Sequence, residues 1–207
     1  IGFANGPKIK DTAGKLELQA GSTGTGSTGT GGIYFLNSSG TAKGRIDTTV
    51  SPSLSSLTVS SGTTTLNSTA TTMTTAGSAS GQAAVTVVST TGFSAGDLVL
   101  IIQMKGTGAG NYELRKIVTV DSNTQLTVDS NLSNSYTQTT NSRCNSSDTN
   151  CSQVINVPVY QTVTMTGGTL TAPAWSSSTG VGGVLWLHAK GAISITSGTV
   201  DMNGKGF

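Results

Sequence analysis

The sequence predicts an all-β protein, in which extended N-terminal strands precede a small antiparallel β-module and a β-sandwich- or β-solenoid-like C-terminal part. Three observations carry this expectation. No stretch of good helix formers places apolar residues at i, i+3 and i+4 for longer than a turn or two. Thr and Val recur with alternation, as residues do on a pleated, half-buried surface. Ser and Thr together make up roughly a third of the 207 residues, beside 28 Gly and only 10% charged residues, so the surface is solvated by hydroxyls rather than ions. With 34% hydrophobic residues, a thin sandwich or solenoid core can be filled and a large globular one cannot.

Residues 1–50 form the first segment. Lys15-Leu16-Glu17-Leu18-Gln19 alternates, and Ile33-Tyr34-Phe35-Leu36-Asn37 is a short β-rich run closed by the turn signal Asn37-Ser38-Ser39-Gly40. The Gly/Thr tract 21–32 between them reads as a flexible linker or a long hairpin tip. Apolar residues here are too few for a separate core, so the segment is expected to need a host. As a donor strand it would enter an open sheet edge of a neighbouring copy, with Leu16 and Leu18, or Tyr34 and Leu36, as the subunit contacts. Folding back on its own chain is the alternative.

Residues 51–80 are mostly Ser and Thr, with sparse apolar positions at Leu54, Leu57, Val59, Leu66 and Met73. So polar a tract buries little alone and is expected to lie along another element or another subunit. Residues 81–137 alternate apolar runs with turn residues, giving four strands in about 45 residues: a compact antiparallel meander or small barrel, with 98–102 as its central strand buried on both faces. Residues 138–153 hold the only cysteines, Cys144 and Cys151, in a polar segment. A local disulfide closing about eight residues would contribute on the order of 2.5 kcal/mol and implies an oxidising compartment. Residues 154–207 carry short runs separated by Gly-containing turns, which suits a β-solenoid whose coils bury a core only by stacking, or half of a sandwich.

Particular residues also carry a resemblance. Thr91-Gly92-Phe93, Gly96-Asp97-Leu98-Val99-Leu100-Ile101 and Asn123-Thr124-Gln125-Leu126-Thr127-Val128 resemble the small β-module of many large secreted bacterial surface proteins. Val157-Pro158-Val159-Tyr160, Leu170-Thr171-Ala172-Pro173-Ala174-Trp175 and Gly198-Thr199-Val200-Asp201-Met202-Asn203-Gly204-Lys205-Gly206-Phe207 are similar to the lead-in of the Gly-rich β-helical region of such adhesin-like proteins. The resemblance covers residues 81–207 and implies a secreted surface protein whose β-helical coils run on.

Chemistry is sparsely represented. The nine acidic residues are scattered, none in a calcium-loop pattern, and Asp97, Asp121 and Asp201 stand where turns ordinarily use Asp. His188, the only histidine, lies in a strand pattern with no triad partner in view. No G-K-[ST] occurs, and two cysteines with one histidine cannot furnish a four-ligand zinc site in one subunit. We therefore expect no catalytic or metal residues and no cofactor. With +2 net charge, no basic cluster and 5% aromatics, nucleic acid is not an expected partner, and no apolar run approaches the ~20 residues of a membrane helix. Sequons at Asn37, Asn67, Asn131, Asn145 and Asn150 are glycosylation candidates. The start at Ile1 without Met suits a processed, secreted chain. The function expected is a structural subunit of an extracellular or cell-surface filament that joins copies of itself head to tail by strand addition. An adhesin or phage tail-fibre part that binds a glycan or receptor is the alternative; a β-helical polysaccharide-degrading enzyme would need clustered acidic and basic residues, of which there is little sign.

Overall fold

A computed structural model describes the backbone of residues 8–12, 15–19, 32–36 and 42–47 and the whole of residues 54–207. The chain divides into two compact units, Ile1–Pro52 and Ser53–Phe207. In the first, β1 (Lys8–Thr12) and β2 (Lys15–Gln19) pair as one antiparallel hairpin, and β3 (Gly32–Leu36) and β4 (Ala42–Asp47) as another. The sequence announces only two of these four strands, because Lys8–Thr12 and Ala42–Asp47 are too polar to stand out. Leu16 and Leu18 stand opposite Asp11 and Ile9, and Tyr34 and Leu36 opposite Arg45 and Ala42, so each expected donor strand already has one neighbour. The side-chain contacts expected of these four residues, and Asn37, lie outside the described residues.

The second unit begins with β5 (Leu57–Val59), β6 (Thr63–Thr65) and β7 (Ala70–Thr72), followed by β8 (Ala84–Thr86), β9 (Leu98–Lys105), β10 (Tyr112–Ser122), β11 (Gln125–Val128) and β12 (Cys151–Val157). An antiparallel sheet runs in the order β7-β12-β9-β10-β11-β8. Its outer strands meet. Met73 bridges Val87, the Thr74 amide donates to the Thr86 carbonyl at 3.2 Å, and the Val88 amide donates to the Thr72 carbonyl at 3.0 Å. The sheet thus curls into a small barrel, two of whose strands, β7 and β12, come from outside residues 81–137.

Alternation along β9 explains its central place. Val99 and Ile101 point into the barrel with Met73, Val85, Val87, Ile117, Leu126, Tyr136 and Val154, all essentially inaccessible. Leu100 points the other way, packing with Ile155 and Val157 under the half-buried Val184 and Trp186. Both faces are therefore dry, as a five-residue apolar run requires.

The remaining strands run parallel. These are β13 (Val159–Tyr160), β14 (Val163–Thr171), β15 (His188–Ala189) and β16 (Ile193–Val200). β14 lies between β16 on one side and β5 with β6 on the other, while β13 pairs β15. Three solenoid coils are stacked here, carried in turn by β5–β6, β13–β14 and β15–β16. Two columns of apolar residues run through them in register: Leu57–Val163–Ile193 and Val59–Met165–Ile195. Thirty residues separate Val163 from Ile193, but 106 separate it from Leu57. The barrel is inserted between the first and second coils, and this is why no fixed period is visible in the sequence. At the corner between the paired half-strands, a Cβ on Gly167 would fall 2.4 Å from the Ser60 carbonyl oxygen, so successive coils approach too closely there for any side chain.

Hydroxyls tie one coil to the next. Thr162 Oγ1 donates to Ser56 Oγ at 2.7 Å, Thr171 Oγ1 to the Asp201 carbonyl at 2.6 Å, and Thr196 Oγ1 to the Met165 carbonyl at 3.2 Å. The Ser/Thr tract is held by its pairing with β14 and by the burial of Val59 and Leu66.

Candidate functional surfaces

Buried polar side chains fasten loops to this framework. Glu113, on β10, accepts hydrogen bonds from the Ser133 and Asn134 amides, the Asn134 side chain, the Tyr136 hydroxyl and Arg115. Burial pushes its carboxyl up, but the two amides, the tyrosine hydroxyl and the Arg115 charge together outweigh burial and hold it below the usual glutamate range. In turn, burial and the facing carboxylate push the Tyr136 phenol well above its ordinary value. With both oxygens committed, Glu113 is a clasp for the loop that carries Ser133, Asn134 and Tyr136.

Three amides do the same work elsewhere. Gln103 Nε2 donates to the Lys105, Thr137 and Cys151 carbonyls and its Oε1 accepts from the Thr137 amide. Gln153 exchanges a pair of 3.0 Å bonds with the Gly182 backbone. Asn67, at φ 58°, donates to the Asn156 and Trp186 carbonyls and accepts from the Trp186 amide, linking the first coil to the third. Nothing in the sequence sets Glu113, Gln103 and Gln153 apart, because a polar residue inside a strand ordinarily marks its wet face. The sequence marks Asn67 only as a sequon; in the folded chain it is buried.

Cys144 and Cys151 form a disulfide, with Cα atoms 5.8 Å apart. The loop they close is ordered by Asp148, which accepts from Thr140 Oγ1 at 2.6 Å and from the Asn145 amide at 2.8 Å and faces Arg143 at 3.4 Å. The Thr140 and Asn145 hydrogen bonds, aided by Arg143, hold its carboxyl below the ordinary aspartate range. Beside this loop Trp175 and Phe207 meet edge to face, ring centres 4.8 Å apart, at a shallow depression of about 320 Å³ that Lys105, Asn145, Ser146 and Ser177 complete. The remaining sequons differ: Asn131 is exposed, whereas the side-chain oxygens of Asn145 and Asn150 accept from the Ser147 and Thr107 amides.

No cluster of three or more His, Cys, Asp or Glu side chains able to hold a metal occurs among the described residues. The turn carboxylates are occupied locally. Asp97 accepts from the Ser94 amide and Asn156 Nδ2, Asp121 from the Thr119 and Thr127 hydroxyls, and Asp201 from the Asn203 amide. His188 is exposed on β15.

The third coil presents the other surface. All eight residues of β16 are exposed, and Ile193, Ile195 and Val200 are 56, 56 and 50% accessible, although their column partners Val163, Met165 and Leu170 are buried. Among the described residues no helix is long and apolar enough to cross a membrane.

No family model matches the chain, and no curated protein matches it. Two solved structures are similar in part. One is the tailspike of Acinetobacter baumannii bacteriophage AP22, solved in complex with A. baumannii capsular saccharide: 11% identity, TM-score 0.35, over 58% of this chain and 22% of that one. The other is the tailspike of Pseudomonas phage LKA1: 13% identity, TM-score 0.32, over 57% and 27%. The chain thus spans about a quarter of each tailspike's length.

Proposed function

We propose that this chain is a non-enzymatic structural element of an extracellular fibre or spike, a solenoid shaft that carries an inserted barrel. The observation that supports this best is the parallel ladder itself. Apolar columns run through all three coils and hydroxyls join their surfaces, while the acidic residues of the described unit are used in turns and clasps. The disulfide fits an oxidising compartment outside the cytosol. Electron microscopy of the native material tests the reading by looking for rods containing this chain. Depolymerisation of acidic polysaccharides with release of unsaturated ends would overturn it.

One observation favours a second reading, glycan recognition. The Trp175–Phe207 pair offers apolar ring surface, and Asn145, Ser146 and Ser177 offer hydrogen-bonding groups at its rim, the combination that holds a sugar's C–H face and hydroxyls. Screening on a glycan array checks it: Trp175→Ala is expected to abolish any signal, and a wild-type chain that binds nothing would end this reading.

A further inference from the structure

The coil ladder has a direction in its hydrogen bonds. The Leu57 amide donates to the Thr162 carbonyl, so at this position β5 turns its backbone groups toward β14. The Val163 amide donates to the Ala192 carbonyl, so β14 turns the groups of Val163 toward β16. In a parallel ladder a residue bonds the two residues that flank its partner. By that rule the amide and carbonyl of Ile193 and Ile195 face away from β14, at the outer edge of the third coil. At the opposite end, β5 and β6 pair β14 alone among the described residues, and Ser56 and Thr58 turn their backbone groups outward.

We propose that the β16 edge of one molecule receives the β5–β6 edge of a second copy, so that copies stack head to tail as one continuous solenoid. The two ends agree in three respects. Parity matches: the outward groups of Ile193 meet those of Ser56 and Thr58, which sets Ile193 opposite Leu57. Spacing matches: strand, corner and strand recur with a six-residue offset in each coil, Leu57 and Thr63 with Val163 and Thr169 and with Ile193 and Thr199. Side chains match: Ile193 meets Leu57, Ile195 meets Val59 and Val200 meets Thr64, which continues the column order found inside the molecule. The half-exposed Ile193, Ile195 and Val200 then acquire the cover that Val163, Met165 and Leu170 already have. An exposed eight-residue edge strand with an apolar row and no proline or lysine in it to deter pairing is otherwise an aggregation hazard. The contact joins unlike surfaces without closing, so it propagates into a filament.

The inference rests on the structural reading above and replaces the N-terminal donor strand with a coil edge as the joint. Two variants test it. Ile195→Lys puts a charge in the exposed β16 row, and Thr58→Pro removes an amide that faces away from β14. Sedimentation velocity on the wild-type chain is expected to show a sedimentation coefficient that rises with concentration, and electron microscopy to show end-to-end stacks. Each variant, with wild-type near-ultraviolet circular dichroism, is expected to stay monomeric. Mixed in equal amounts, the two variants retain one intact edge each and are expected to form a dimer and nothing longer. A wild-type chain that stays monomeric overturns the proposal and leaves the edge to a coil of another kind. Variants that are monomeric alone and together overturn the pairing of these two edges. Variants that still make filaments overturn this joint while leaving the structural reading standing.

Discussion

Glu113 shows how a single carboxylate sets a loop. A carboxyl held below its ordinary range contributes stability that is fully present above the unfolded-state pKa, roughly 4.3, and is lost as the pH falls through the lower folded-state value. Glu113→Gln is therefore expected to cost about 1–3 kcal/mol at pH 7, and the gap from wild type, read from urea midpoints, to close as the pH drops below about 4. A gap that does not depend on pH would mean that the carboxylate's charge plays no part. Asn67 allows a separation of another kind, since it combines a left-handed backbone with three side-chain hydrogen bonds. Asn67→Gly keeps the backbone and loses the bonds, whereas Asn67→Ala loses both. Chemical denaturation is expected to find Ala the less stable of the two by about 1 kcal/mol.

At the scale of elements, the coils and the barrel respond to different perturbations. A Cβ at Gly198, φ 104°, would fall 2.7 Å from the Gly167 carbonyl oxygen. Gly198→Ala is expected to loosen the third coil alone: amide exchange over 193–200 should quicken while that of β9 in the barrel is unchanged. Ile101 and Ile195 make a matched pair. Removing the buried side chain with Ile101→Ala should cost about 2–5 kcal/mol. Ile195→Ala, at a half-exposed position, should shift the monomer's denaturation midpoint little, within about 0.5 kcal/mol. Reducing the Cys144–Cys151 bond releases a loop that Asp148 also holds, so the loss, on the order of 2.5 kcal/mol by chain entropy, should appear as local proteolysis near residues 144–151 before any global change.

For the molecule as a whole, the inserted barrel couples what a simple solenoid would leave separate. Coil one leads directly into β7 of the barrel, and β12 of the barrel leads directly into coil two. Asn67 then ties the first coil to Trp186 in the third. The unit Ser53–Phe207 is accordingly expected to melt in one calorimetric transition. Two resolved transitions would show that the barrel and the coils are energetically independent.

Some of this architecture is legible in the sequence. The all-β class follows from composition and alternation, and β9 from five consecutive apolar residues that only a strand dry on both faces can use. The disulfide follows from two cysteines in one polar loop. Those features are local, and local chemistry determines them. Partners distant in the chain are another matter. That Ser/Thr-rich residues 57–65 form the first coil depends on strands 106 residues further on, and a Thr-rich strand carries no mark of what will lie beside it. Likewise Glu113, Gln103 and Gln153 read as surface residues until a returning loop buries them. Only the tertiary structure decided these, because burial and hydrogen-bond partners belong to the pairing of segments and not to either segment alone.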